Sequence, residues 1–378
     1  MPDYNVLAVG DPAPDFRQAC TSNPEYHFDT VAGRYVVLCF FGTSGDERGR
    51  AMLKIIDEHR TLFDDSHVAF FGVSIDPNDK NEQRIRESMP GIRHFWDFDG
   101  SVSRLYGAIP MDVRQGDVAF KRFWAVLNPT LQVRAVFPVL ADGTDRHIVA
   151  EYLKVLPPVS AFCGFPVQAP ILILPNVFEA DFCRHLISLY QAHGGEDSGF
   201  MRDVGGKTTT VFDYGHKRRS DFTIEDEHLK VQIQRKVIRR INPEIKKAFQ
   251  FHATRMERYL VAGYHAENGG HFRPHRDDTT KGTAHRKFAL SILLNDDFEG
   301  GELSFPEYGP QTFRAPVGGA VVFSCSLLHT VSPVTRGQRY VFLPFLYDEA
   351  AASLREANNQ FLDEKVGLYR KDGGKEIS

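Results

Sequence analysis

The sequence predicts two domains joined by an extended connector: an α/β domain over residues 1–158 and a second domain over 159–378. Two observations carry this. In the first half, short apolar runs rich in β-branched and aromatic residues alternate with amphipathic stretches, the pattern of a mixed sheet covered by helices. The segment VLPPVSAFCGFPVQAP, residues 155–170, then breaks the pattern with four prolines and no charge, and reads as a linker with its boundary near Pro158. The chain's 378 residues suit two or three domains of roughly 150 residues each.

Taken in order, VVLCFF (36–41) reads as a buried strand by its length and β-branched content. Residues 48–63 follow, with Met52, Leu53, Ile56 and Leu62 near helical spacing. HVAFFGVSID (67–76) is a second buried strand, and FWAVLNPTLQVRAVF (123–137) a hairpin around Asn128-Pro129. Past the connector, APILILPNVFEADFCRHLISLYQ gives a strand, a turn and an amphipathic helix. The C-terminal segment from Ala351 reads as a helix with a frayed end.

Charged residues make up 25% of the chain and the formal net charge is −4, so electrostatics give no reason to expect nucleic acid or an anionic membrane as partner. The basic run HKRR, His216 to Arg219, is short and reads as a solvated loop. Five cysteines (Cys20, Cys39, Cys163, Cys183, Cys325) form no CxxC pair, which fits buried free thiols in a reducing compartment. No run approaches the roughly 18 apolar residues of a membrane span, and the first residues lack a basic segment followed by an apolar one. The expectation is a cytoplasmic protein.

The order of elements in the first half, with GDPAPDF at residues 10–16 ahead of VVLCFF, resembles the thioredoxin-like fold of the peroxiredoxin and alkyl hydroperoxide reductase family, over roughly residues 5–157. The family's chemistry does not carry over. Its reactive cysteine belongs at the start of the helix after VVLCFF, where a helix N-terminus and a nearby cation lower a thiol pKa. Here that stretch is GTSGDERGRAML, without a cysteine between Gly42 and Leu53. Peroxiredoxin spacing puts Arg50 at the cysteine position and Glu47 at the usual threonine; thioredoxin CxxC spacing gives Gly45 and Arg48. Cys39, inside the apolar strand, is a poor substitute, so this domain is expected to lack thiol catalysis.

In the second half, His275 and Asp277 stand two apart, so on a strand imidazole and carboxylate point to one face and can converge on one cation. His329, in SLLHTVSPVTRGQR, is the candidate third ligand. Two histidines and a carboxylate on one face of an octahedral metal leave three positions free, the arrangement of non-haem Fe(II) oxygenases. An HxD pair alone is weak among 15 histidines and 49 acidic residues. Arg339 raises its weight: it lies ten residues after His329, across a turn at Thr335–Gln338, and offers a planar fork suited to a carboxylate.

The succession HxD, FEGGELSFPE, PVGGAVVF, LLHTVSPVTRGQR resembles the prolyl 4-hydroxylase-like branch of the Fe(II)- and 2-oxoglutarate-dependent oxygenases, over roughly residues 170–347. The resemblance implies a double-stranded β-helix (jelly-roll) with flanking helices, and Fe(II), 2-oxoglutarate and O2 as cofactor and co-substrates. It implies His275, Asp277 and His329 as metal ligands and Arg339 as the clamp on the distal carboxylate of 2-oxoglutarate. It also implies a co-substrate role for Tyr259, although the AENGGH insertion lets Tyr264 compete for it. Gly300-Gly301 and Gly318-Gly319 are expected to be turns without chemistry. Retention of Asp277 favours hydroxylation over halogenation, since related halogenases lack the carboxylate. Arginine rather than the lysine of many prolyl hydroxylases weakens any inference that the substrate is a proline.

The polar stretch Asn268–Arg286 reads either as a cover for the substrate site or as a solvated loop. The substrate class stays open between a protein side chain, an amino acid and a small metabolite, with the N-terminal domain a candidate site for a protein partner. Three other readings compete: a thiol peroxidase or disulfide oxidoreductase using the first domain, a non-catalytic protein-binding scaffold with a metal-binding β-helix, and a cupin-like metalloprotein without 2-oxoglutarate, which would leave Arg339 without a role.

Overall fold

The computed structural model describes residues 3–112, 119–364 and 366–371. The chain divides into two compact units, Met1–Gln168 with Pro306–Pro310, and Ala169–Phe305 with Gln311–Ser378.

The first unit is built on a five-stranded sheet in the order Ile92–Trp96, Val68–Ser74, Tyr35–Gly42, Phe123–Leu127, Val133–Pro138. The first three strands run parallel and the last two pair antiparallel. Every residue of Tyr35–Gly42 and Val68–Ser74 is buried, as an uninterrupted apolar run requires of a strand covered on both faces. Val36, Leu38 and Phe40 pack on Phe16, Phe28 and Tyr106; Val37, Cys39 and Phe41 pack on helices Glu47–Glu58 and Asp145–Lys154 through Met52, Ile55, Val149 and Leu153. This is a thioredoxin-like fold. The helix after the first strand stops at Glu58, short of the 48–63 periodicity, because His59 leaves helical geometry (φ −136°) and a 3-10 turn takes over at Arg60–Leu62. The 155–170 segment is less extended than its prolines suggest. Val159–Ala161 forms a 3-10 turn and Phe162 is buried in the first unit's core.

In the second unit, successive strands alternate between two sheets. Leu260–His265, Phe288–Leu293, Ala320–Ser324 and Gln338–Phe342 belong to the larger sheet; His271–His275, Leu303–Ser304 and His329–Val331 belong to the smaller. All pairings are antiparallel, and the alternation is a double-stranded β-helix. Helices Ala180–His193, Glu227–Arg240 and Asn242–Phe249 cover one face of the larger sheet. There Leu186, Tyr190, Ile233, Val237 and Ile245 meet Val261, Leu290, Ile292, Val322 and Phe342. Strand periodicity of two sends the intervening residues, among them Ser291, Leu293, Val321 and Arg339, to the other face, where they meet Leu303 and Phe313 of the smaller sheet around a cavity. Arg339 lines that cavity.

The expected C-terminal helix runs from Glu349 to Ala357; the expected frayed end, from residue 372 on, lies outside the described residues. Among the described residues no helix is long and apolar enough to cross a membrane.

Candidate metal centre

Strands His271–His275 and His329–Val331 are neighbours in the smaller sheet, and their register sets His275 directly opposite His329, with ring centroids 4.2 Å apart. Asp277 follows two residues later, tied by its backbone N–H to the Cys325 carbonyl at 2.9 Å. His275 Nε2 lies 3.7 Å from one Asp277 oxygen and His329 Nε2 lies 3.4 Å from the other. The three residues form one of two groups of potential ligands among the described residues whose donor atoms all fall within 4.8 Å of one another.

The tautomers follow from the partners. His275 Nδ1 is 2.7 Å from the Arg273 carbonyl, and His329 Nδ1 is 2.9 Å from the Leu327 carbonyl. A carbonyl only accepts, so both Nδ1 atoms carry the proton and both Nε2 lone pairs face Asp277. Burial, reinforced by the neighbouring His329, holds the His275 pKa well below the ordinary imidazole value and keeps the ring neutral, as a ligand must be. Phe272 stacks on His275 at 3.4 Å between centroids, and Phe323 meets His329 edge-on at 4.7 Å, so both rings are fixed by packing. This donor set fits a hard-to-borderline divalent cation such as Fe(II).

Arg339 comes from the larger sheet. It is 5% exposed, Nη2 donates a long hydrogen bond to Ser291 Oγ at 3.3 Å, and Nη1 has no partner among the described residues. A buried guanidinium with an idle N–H is costly, and the apolar walls of Leu293, Leu303, Phe313 and Val321 leave the cavity's polar demand at one end. A carboxylate would meet that demand.

Tyr264 stands opposite Arg339 in the strand register, its ring 5.1 Å from the Arg339 guanidinium carbon and 5.9 Å from that of Arg219. Tyr259 does not reach the cavity. Tyr264 lies within strand Leu260–His265, whereas Tyr259 precedes it, after Arg258 with its φ of 65°. Tyr259 packs on the helix-covered side, where its hydroxyl accepts from Gln234 Nε2. Of the two tyrosines, the structure thus places Tyr264 beside Arg339 and Tyr259 against the helices.

Three further expectations change. The HKRR run is not a solvated loop: Lys217 and Arg219 are 5% and 6% exposed, and Arg219 grips Asp221 with two bonds of 2.7 and 2.8 Å. Apolar context was absent from that run, but the i, i+2 spacing of Arg219 and Asp221 was the available signal. Gly301 is more than a turn. At φ 66° it lies on the cavity wall, where a Cβ would come within 2.8 Å of Arg339 Cδ. The Asn268–Arg286 stretch contains a strand, and Thr280, Thr283 and His285 are buried. Sequence reading also missed Glu257. This carboxylate, 8% exposed, accepts from Arg286 at 2.7 Å and lies 2.6 Å from Arg355 and 3.1 Å from His285. Arg286 in turn donates to the Asp277 carbonyl at 3.3 Å, so a charged network backs the metal-facing carboxylate.

Among the described residues, the first unit shows no comparable thiol site. The helix that would present a reactive cysteine begins at Asp46, whose carboxylate accepts from Gly49 N, while Arg50 bonds the Ser44 and Gly45 carbonyls. Cys39 is fully buried, and burial raises its thiol pKa well above the usual range.

Residues 259–347 match the 2OG-Fe(II) oxygenase superfamily, and residues 9–148 match the AhpC/TSA family. A PKHD-type hydroxylase of Maricaulis maris is 32% identical over 111 residues, 26% of this chain and 49% of that relative. A PKHD-type hydroxylase of a Polaromonas species is 53% identical over 76 residues, 20% of this chain and 33% of that relative. The chain thus spans half or less of the length of these curated relatives. Among solved structures, a prolyl hydroxylase from Trichoplax adhaerens aligns over 50% of this chain and 87% of its own (15% identity, TM-score 0.40). The bacterioferritin comigratory protein of Xanthomonas campestris aligns over 40% of this chain and 98% of its own (20% identity, TM-score 0.32).

Proposed function

We propose that this chain, an AhpC/TSA-family domain fused to a 2OG-Fe(II) oxygenase domain, is a 2-oxoglutarate-dependent hydroxylase acting on a C–H bond of a protein side chain or small molecule. The observations that carry the reading are the converging His275–Asp277–His329 donors and a buried guanidinium, Arg339, that has an unused donor.

In this reading His275, Asp277 and His329 hold Fe(II), with their Nδ1–carbonyl bonds fixing ring orientation and Arg286 holding the Asp277 backbone. Arg339 binds the distal carboxylate of 2-oxoglutarate through two N–H groups, with Ser291 and Tyr264 keeping the guanidinium in plane. Leu293, Leu303 and Val321 exclude water from the co-substrate's carbon chain. When bound, Fe(II) and 2-oxoglutarate supply the oxidation of a substrate C–H bond by O2, coupled to loss of CO2 and formation of succinate.

The test is Fe(II)-dependent conversion of 2-oxoglutarate to succinate by the purified chain, followed by mass spectrometry of offered peptides and metabolites for gain of one oxygen atom. Turnover that disappears in Asp277→Ala supports the reading. Iron-independent or absent turnover at saturating 2-oxoglutarate would sink it. A thiol peroxidase reading has no comparable support, since Cys39 is buried and the 43–53 stretch lacks a cysteine.

A further inference from the structure

The second group of potential ligands lies in the first unit, at the far end of the helix that would open a thiol site. Glu58 is the last residue of helix Glu47–Glu58 and His59 its C-cap; His147 projects from helix Asp145–Lys154. One donor atom from each falls within 4.8 Å of the others, the same bound met by His275, Asp277 and His329. From this arrangement we infer that Glu58, His59 and His147 bind a divalent transition metal of the Zn(II) class, clipping the two helices together.

Four observations support this site. His59 Nε2 is a buried nitrogen without a hydrogen-bond partner, an orphan that a metal would satisfy. The rings of His59 and His147 lie 6.1 Å apart at 88°, and His147 Nδ1 is 4.0 Å from Glu58 Oε2, so small rotations of half-exposed side chains bring the donors to bonding distance. Glu58 and His59 sit at a helix C-terminus, where the backbone carbonyls favour a cation. Glu151 follows His147 by four residues on the same helix, one turn along the same face, and lies within electrostatic range of both imidazoles. Two imidazoles with one or two carboxylates make a tetrahedral set that suits zinc, with water or Glu151 in the fourth position.

One feature opposes the site. Arg146 donates from Nε to Glu58 Oε2 at 2.8 Å and brings a positive charge close by. It engages the oxygen that lies nearest His147, so the site requires Glu58 to rotate and present its other oxygen while Arg146 stays bonded to the Gly143 carbonyl at 2.6 Å.

Metal titration of the chelator-stripped full chain tests the inference, with Co(II) as the spectroscopic probe and Zn(II) for affinity. The two sites differ in colour: a tetrahedral Co(II) centre absorbs far more strongly in the visible than a six-coordinate one. Wild type is expected to bind two equivalents of Zn(II), both tighter than about 10 μM, and to show the intense tetrahedral Co(II) bands. His147→Ala changes a half-exposed side chain, so the fold is expected to stand. It should bind one equivalent and lose those bands while His275→Ala keeps them. A wild-type stoichiometry that His147→Ala does not lower, bands that survive His147→Ala, or a His147-dependent equivalent weaker than about 1 mM (an adventitious ion only) would overturn the site.

Discussion

Replacing Arg339 with leucine separates what the residue does for the fold from what it does for the co-substrate. In the structure its guanidinium is buried, bonds Ser291 Oγ weakly at 3.3 Å and leaves Nη1 without a partner. A distal carboxylate would gain two charge-assisted hydrogen bonds there, each worth about 1.5–3 kcal/mol. Their loss, discounted for non-additivity, comes to about 3–4 kcal/mol, or roughly a 10²–10³-fold rise in the Kd for 2-oxoglutarate. Arg339→Lys keeps the charge but not the fork, and should raise Kd roughly tenfold. The variant without the guanidinium should fold as well as wild type or better when 2-oxoglutarate is absent, because it removes a buried, under-bonded charge. Anaerobic titration of the Fe(II)-loaded protein, followed by the visible charge-transfer absorption, reads Kd directly; thermal melts without ligand read stability. A Kd within about threefold of wild type, with iron still bound, would refute the clamp, since two such bonds cannot be that cheap to lose.

The remaining predictions concern neighbours and the first unit. Tyr264→Phe should raise the Kd for 2-oxoglutarate several-fold, whereas Tyr259→Phe should leave it unchanged and cost at most about 1 kcal/mol of stability through the lost Gln234 bond; the opposite ranking in the same titration would restore Tyr259. His94 is 1% exposed and burial lowers its pKa to about 4, so between pH 6.5 and about 4 the unfolded chain binds the extra proton. Its stabilising contribution is therefore whole above pH 6.5 and lost as pH falls, at about 1.4 kcal/mol per pH unit. Urea midpoints of His94→Gln against wild type from pH 7 to 5 should show the variant's slope flatter; parallel slopes would contradict the burial. Finally, of the five cysteines only Cys163 is exposed, so a thiol reagent at neutral pH should label one site in the folded chain and five after denaturation. Rapid labelling of Cys39 would reopen the thiol reading.

How far the sequence went depended on whether a signal was local. His275 and Asp277 were legible because a two-residue spacing on a strand fixes their common face. His329 and Arg339 were legible as candidates from motif order, but the pairing of His329 with His275 and the burial of Arg339 depend on strands alternating between two sheets, which no local pattern records. The choice between Tyr259 and Tyr264 turned on where strand Leu260–His265 begins, with Tyr264 within it and Tyr259 before it. Lys217, Arg219 and Glu257 were misread or missed for a different reason. A charged residue is ordinarily solvated, and only tertiary partners such as Asp221 and Arg286 make burial tolerable. Strands Tyr35–Gly42 and Val68–Ser74 of the first unit were plain from apolar runs, while the helix end at Glu58 was not, because His59 interrupts a periodicity that continues past it.

The most direct test of the account is the anaerobic addition of Fe(II) and 2-oxoglutarate to wild type and to His329→Ala. Wild type should bind one Fe(II) at this centre and develop the visible charge-transfer band of an iron-bound 2-oxo acid, and the variant should develop none at the same concentrations. A band of equal intensity in both proteins, or none in wild type at saturating ligand, would contradict the assignment of His275, Asp277 and His329 as the iron face.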